Sequence, residues 1–209
     1  MPNDMTVRCE CGSVEGVAHK MSGGHVNRVT CYCIWCQAFA EYLGKADSML
    51  DEDGGSDLFQ ISPGQLEITK GAEFITSLRL SPKGPVRWYA DCCKSNLANT
   101  FGSPSVPFMA MHTASLEQSA GNGKLADVLG PIRARVNSPE PEKNSSKFAV
   151  YLMLIRYAAM LLKWRLTGEH KRSPFFNPQT GEAIVEPILL PKEEVEKLKD
   201  IRAKALAVG

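Results

Sequence analysis

Seven cysteines stand in three groups along the chain: Cys9 with Cys11, Cys31 with Cys33 and Cys36, and Cys92 with Cys93. In extended chain a Cys-x-Cys pair puts both thiols on one face, because side chains alternate with period two. A Cys-x-x-Cys turn brings two sulfurs to one tetrahedral ion. The stretch "CYCIWC" at residues 31–36 combines both spacings into a three-sulfur clamp. Its last member, Cys36, falls in the first turn of an expected helix, where free N–H groups and the helix dipole favour thiolate over thiol. Taken singly, each cysteine reads as well as a small apolar core residue. Five of them in two chelating spacings between Cys9 and Cys36 favour metal, and thiolate is a soft ligand suited to zinc. An iron–sulfur cluster is the rival site, but it normally takes four cysteines. Three ligands also leave a position for water or a substrate sulfur, whereas closed structural zinc sites use four.

The elements that must position these thiols differ between the two halves of the chain. Residues 5–112 read as short strands with apolar and polar residues alternating: "TVRCE", "SVEGVAHK", "HVNRVTC", "DLFQIS", "QLEITK", "EFITSLRLS", "VRWYAD" and "VPFMAMH". Turns such as "SGGH", "EDGGSD" and "SPKGP" separate them, and one helix interrupts them at residues 34–43. Beyond residue 115 the character changes. "GKLADVLGPIRARV" is read as a helix ended by Gly130 and Pro131, and "NSPEPEKNSS" as an exposed linker. A long helix over 145–167 is apolar nearly all round, so burial on more than one side is expected, against a second subunit among other surfaces. "SPFFNPQTGEAIVEPILLP" reads as a Pro-broken strap, and "KEEVEKLKDIRAKAL" as an amphipathic helix with Val195, Leu198 and Ile201 on one side. The expected organisation is an α+β chain: a mainly antiparallel β domain over 5–115 and a mostly helical extension over 116–209.

Composition narrows the partners. Lys and Arg number 24 against 23 Asp and Glu, with no basic stripe among aromatics, so no nucleic acid is expected. "FAVYLMLIRYAAMLL" is too short for a membrane span, which needs about 20 apolar residues, and Arg156 sits in its middle. No membrane partner is expected. "MPNDMTVRCE" lacks the basic start and apolar run of a secretory signal, so the cytoplasm is the expected compartment, with reduced thiols and no structural disulfides.

The cysteine pattern resembles the glutathione-dependent formaldehyde-activating enzyme family. That family carries a CxCG, a CxCxxC about 20 residues later that leads into a short helix, and a CxxCG near the end of its β region. Here "CECGS" (Cys9, Cys11, Gly12) and "CYCIWC" (Cys31, Cys33, Cys36) match in type, order and spacing. In "WYADCCKSNL" Cys93, Ser95 and Leu97 match, while Ala90 stands where the first cysteine is expected and Lys94 replaces the glycine. The resemblance spans roughly residues 7–112. It implies a β-tent core and zinc as cofactor, with Cys9, Cys11 and Cys93 as structural ligands and Cys31, Cys33 and Cys36 as a labile site that meets a substrate sulfur. Cys92 supplies a fourth structural ligand only if the backbone turns there, since neighbours in extended chain point to opposite faces.

What the resemblance implies for activity is a carbon–sulfur lyase or transferase, of the S-(hydroxymethyl)glutathione synthase kind, acting on glutathione or another small thiol adduct. The alternative is a zinc-stabilised β-tent binding module without catalysis, with the C-terminal helices forming a protein interface such as a homodimer. A methionine sulfoxide reductase is disfavoured, because the paired CxxC elements of that family are absent. Of the remaining residues, His112 reads as a fourth ligand or proton shuttle, or more commonly as a satisfied buried histidine. Trp35 reads as a pocket wall or, by the general rule for large aromatics, as core packing. His19 and His25 are expected to face solvent, and His170 to sit at the long helix's C-terminus. Arg79, Lys83, Arg87 and Lys94 read as anion contacts or as solvated strand charges.

Overall fold

The computed structural model describes residues 3–117 and 125–208. In chain order the elements are β1 (Asn3–Arg8), β2 (Glu15–Met21), β3 (Asn27–Cys31), α1 (Ile34–Tyr42), α2 (Ala46–Met49), β4 (Ser56–Ile61), β5 (Leu66–Lys70), β6 (Ile75–Arg79), β7 (Val86–Ala90), β8 (Ser95–Thr100) and β9 (Met109–His112). They are followed by α3 (Ala114–Glu117), α4 (Leu125–Leu129), β10 (Ala134–Val136), α5 (Lys147–Leu166), β11 (Ile188–Leu189) and α6 (Lys192–Val208). The chain is α+β, with most of its strands in two sheets.

The small sheet runs β1-β2-β5 and is antiparallel. The large sheet has eight strands in the order β10-β3-β4-β9-β8-β7-β6-β11. Its six inner strands are antiparallel, and its two edge strands, β10 on β3 and β11 on β6, are parallel. The large sheet is therefore mixed. Both edge strands come from the part of the chain beyond residue 115, which covers edges that would otherwise offer unpaired N–H and C=O groups.

Alternation assigns the two faces of the large sheet. Val86, Trp88 and Ala90 of β7, Phe59 and Ile61 of β4 and Met109 and Met111 of β9 join the core shared with the small sheet, where Met5, Val7, Ala18 and Leu66 meet them. The intervening residues face the other way, under α1 and α6, where Phe39, Leu43, Leu78, Tyr89 and Val195 form a second core. The strap enters the first core: Phe175 stacks on Trp88 with ring centroids 4.7 Å apart and Phe176 meets it edge-on at 5.9 Å.

Several expectations are corrected. β8, "SNLANT", has no alternation and escapes the pattern, yet all six residues are buried, because each polar side chain but Asn96 finds a use in the interior. Within "GKLADVLGPIRARV" the helix ends at Leu129 and "ARV" is a strand, since β3 offers it a free edge; Gly123 and Lys124 lie outside the described residues. Within its own chain the long helix is covered on one side only, and its contact with a second subunit is a separate question. Only Met153 and Trp164 are fully buried, and Phe148, Tyr151, Leu152, Leu154, Ile155, Leu162 and Leu166 are exposed. On α6, Val195 is buried and Leu198 packs beside it, but Ile201 is exposed. Among the described residues, no helix is long and apolar enough to cross a membrane.

Candidate metal centres

The first cysteine group forms at the meeting of two turns. β1 ends at Arg8, so Cys9 and Cys11 lie in the turn before β2 and not on a strand as their spacing suggests; Gly12 closes that turn at φ +73°. Cys92 and Cys93 lie in the turn from β7 to β8. The backbone does turn there, because Lys94 adopts φ +56°, the left-handed conformation that glycine takes most readily. All four sulfurs lie within 4.8 Å of one another. Cys11 Sγ is 3.2 Å from Cys92 Sγ and 3.5 Å from Cys9 Sγ, Cys92 Sγ is 3.9 Å from Cys9 Sγ, and Cys92 and Cys93 are 3.8 Å apart. A tetrahedral ion with metal–sulfur bonds of about 2.3 Å sets its ligands about 3.8 Å apart, so the four-sulfur group fits one ion. A disulfide would need about 2.05 Å, and all seven cysteines are free.

Neighbouring donors hold this group in place. The Val14 N–H donates to Cys9 Sγ at 3.2 Å, and the Glu10 N–H donates to Ser95 Oγ at 2.9 Å, which ties the two turns together. The Ser13 hydroxyl, 3.3 Å from Cys11 Sγ, and the Ser13 backbone N–H hold the Cys11 thiol down to about 6, helped by Cys92. Near neutral pH one thiolate is thus already present to receive a cation.

Lys94 carries a cost that its neighbours only partly offset. It pairs with Asp91 at 2.5 Å and lies over the Tyr89 ring at 5.1 Å, but a side chain in the left-handed region is unfavourable by about 1 kcal/mol. Lys94→Gly is expected to raise stability by up to about 1 kcal/mol, and Lys94→Val to lower it by a similar amount, since β-branching worsens that conformation. Thermal denaturation of the two variants against wild type reads this directly.

The second group is built by the β3–α1 junction. Cys31 ends β3, Cys33 is the N-cap of α1 at φ −69° and ψ 142°, and Cys36 stands in the helix's first turn, its N–H donating to the Cys33 carbonyl at 3.0 Å. The three sulfurs lie within 4.8 Å of one another. Cys36 is buried, and Cys31 and Cys33 are partly so. Asn137, at φ +63° just past β10, donates from Nδ2 to Cys31 Sγ at 3.4 Å.

Arg87 faces this group. It is buried on β7, with Nη1 and Nη2 at 3.8 and 3.9 Å from Cys36 Sγ, Nη1 donating to Asn99 Oδ1 at 3.2 Å, and its guanidinium 5.2 Å from the Phe39 ring centre. The thiols of Cys31 and Cys33, and then the Arg87 guanidinium, hold the Cys36 thiol well below its ordinary value. The same sharing, together with burial, pushes Cys33 up. Cys36, with Arg87 beside it, is the thiol whose anionic form this arrangement favours most. Filling the cluster with a cation would release the protons that Cys31 and Cys33 retain.

Beside Cys33 and Cys36 lies a cavity of about 290 Å³. Trp35, Leu58, Leu80, Pro85, Phe108 and Ala110 make apolar walls, and Arg87 and Asn99 put polar groups at the cysteine end. Trp35 is exposed and not a core residue: α1 turns it outward, where Lys199 of α6 lies 4.0 Å from its ring centre. A larger, open groove of about 1330 Å³ runs between the α1–α2 region and α6, but no cysteine lines it.

Of the other residues singled out, Arg87 joins the site, and it brings Asn99 with it. Arg79 caps its own turn by donating to the carbonyls of Pro82 and Gly84, and Lys83 is exposed. His112 is outside both sulfur groups. It is buried, its Nδ1 accepts from the Ala114 N–H at 3.1 Å, and burial lowers its pKa. His19 is held between Asp4 and Glu67, His25 contacts Ser22, and His170 is buried beside the Trp164 carbonyl. Asn99 and Asn137 had no signal in the sequence, since each is far along the chain from the cysteine group it serves. Arg87 did have one: a cation inside the otherwise apolar run "VRWYA".

A model of a family of unknown function, DUF6151, matches residues 1–186. No curated protein matches. Among solved structures, the crystal structure of a Rhodobacter sphaeroides protein, a structural-genomics target, is similar to this chain at 19% identity, over 61% of this chain and 97% of that one, with a TM-score of 0.38.

Proposed function

This chain belongs to the family of unknown function DUF6151, and we propose that its two cysteine groups hold zinc, one closed and structural, the other open and facing a substrate. The closed site is Cys9, Cys11, Cys92 and Cys93; the open one is Cys31, Cys33 and Cys36. The β-tent architecture belongs to the same reading. What supports it is the small sheet laid against one face of the large sheet, with the four-sulfur group bridging a turn of each.

For the reaction we propose a carbon–sulfur lyase or transferase acting on the adduct of a small thiol and an aldehyde. The observation that carries this is the three-sulfur group at the end of a cavity, with a buried guanidinium beside Cys36. Zinc with three thiolates supplies a Lewis acid and a position for a fourth sulfur or oxygen. In the synthase direction the S–C bond forms, the carbonyl becomes a hydroxyl and the thiol proton ends on that oxygen; the lyase direction is the reverse. The chain's own residues bind and shield. Arg87 offsets the net negative charge of three thiolates on a dication, Asn99 fixes the guanidinium, and Trp35, Leu58 and Phe108 exclude water from the adduct. The walls suit a compact apolar thiol better than glutathione. That tripeptide would bring two carboxylates and an ammonium into a cavity whose one lining cation already faces Cys36.

A second reading, a zinc-stabilised binding module, is favoured by the position of the four-sulfur group, which staples one sheet to the other whatever the second group does. Cobalt-substituted protein separates the two. Titration with phenylmethanethiol is expected to shift the thiolate-to-cobalt bands and quench Trp35 fluorescence, at a concentration at least tenfold below that needed for glutathione. No response to either thiol supports the module, and a tighter response to glutathione overturns the apolar preference.

A further inference from the structure

We infer that α5 forms an antiparallel helix pair with the α5 of a second copy of this chain. The helix has two apolar faces. One is covered by its own chain: Met153 packs with Val29 and Ala134, Trp164 is buried, and Tyr157 meets Phe108 edge-on at 6.1 Å. The other carries Phe148, Leu152, Ile155, Ala159, Leu162 and Leu166, and among the described residues nothing covers it. The five large residues are 70, 50, 49, 61 and 78% exposed, and Ala159 is exposed as well.

Their spacing along the chain alternates four and three residues throughout. That is the 3.5-residue repeat by which one helix seats knobs into the holes of another, running here through all of α5. With the adjacent Tyr151 these side chains present roughly 800 Å² of surface, about the share each partner gives to a standard interface and more than an ordinary monomer leaves exposed in one patch.

The occupant follows from self-complementarity. In an antiparallel two-fold pair Phe148 meets the partner's Leu166, Leu152 meets the partner's Leu162, and Ile155 meets the partner's Ala159, so a small residue faces a large one at the centre. α5 has no acidic residue, and its cations are Lys147, Arg156, Lys163 and Arg165. In this register Lys163 stands opposite the partner's Tyr151, Arg156 opposite the partner's Ala158 and Arg165 opposite the partner's Ala149, so no cation meets a cation. The opposed helix dipoles also favour this direction. Two of the cations are already engaged at home: Arg156 donates to the carbonyls of Gly23, Gly24 and Val26, and Arg165 to that of Ser105. Few free charges therefore remain to greet an anionic lipid surface, the other occupant an apolar helix with basic ends would suit.

Sedimentation of the full chain at micromolar concentration tests this. Wild type is expected at twice the chain mass, and Leu162→Glu at the single mass with unchanged circular dichroism and metal content, since Leu162 is exposed and belongs to none of the core clusters. Leu152→Lys combined with Leu162→Glu is expected to restore the double mass, because only the antiparallel register sets each lysine against the partner's glutamate. A monomeric wild type, a dimer indifferent to Leu162→Glu, a double variant that stays monomeric, or a monomer that sediments with anionic phosphatidylserine vesicles would overturn the proposal.

Discussion

Cys92→Ser is expected to cost one zinc ion per chain and to lower the melting temperature by about 6 to 12 °C. The size follows from the position of the sulfur. Cys92 is exposed and contributes little to packing, so exchanging sulfur for oxygen leaves the core intact and removes one ligand. Structural zinc sites contribute of the order of 10 kcal/mol to folding, and losing one of four ligands forfeits several kcal/mol of that. In a chain of this length about 3 kcal/mol corresponds to that shift in melting temperature. The turn from β1 to β2 and the turn from β7 to β8 belong to different sheets, so an ion there would join elements that the Glu10 N–H to Ser95 Oγ bond also ties. Chelator treatment of wild type should reproduce the shift and add little to the variant. A Cys92→Ser protein that keeps its metal and melts within about a degree of wild type would remove Cys92 from the site.

Arg87→Met should weaken retention of metal at the three-sulfur group by 10- to 100-fold while leaving the four-sulfur group untouched. Three thiolates on a dication would carry one net negative charge, partly buried at the start of α1, and Arg87 reaches Cys36 with both Nη atoms. Methionine keeps the apolar stem and volume but leaves that charge without a partner, and neighbours of this kind typically govern affinity to that extent. Asn99 Oδ1 would lose its donor as well. Arg87→Lys should recover only part of the loss, because an ammonium keeps the charge without the fork that faces both Cys36 and Asn99. Competition with a chromophoric chelator reads both affinities in one titration. Equal weakening at the two groups would mean that Arg87 acts through the fold and not on Cys36.

How much of this the sequence carried depends on distance along the chain. Cys31, Cys33 and Cys36 are legible because their geometry is local: a strand end, an N-cap and a first helical turn are set by six consecutive residues. The pairing of Cys9 and Cys11 with Cys92 and Cys93 is not local, and it turned on whether the chain bends at Lys94, which a lysine does not announce. β8 was illegible for a related reason. Its polar residues look solvated, but Ser95 accepts from Glu10, Asn99 from Arg87 and Thr100 from Trp88, so all but Asn96 are satisfied by a residue at least 12 positions away. Trp35 misled in the opposite sense, an aromatic at a helix start that faces outward. The all-round apolar character of α5 was visible, but not that one face stays uncovered, since burial by another part of the chain and burial by another molecule leave the same pattern.

The claim on which the rest stands is that both cysteine groups are metal sites. Elemental analysis of the protein purified without chelator tests it most directly. Two zinc ions per chain are expected, falling to one in Cys33→Ser and to one in Cys92→Ser. Protein that carries no thiophilic metal, or carries iron with the visible absorbance of a sulfur cluster, would contradict it.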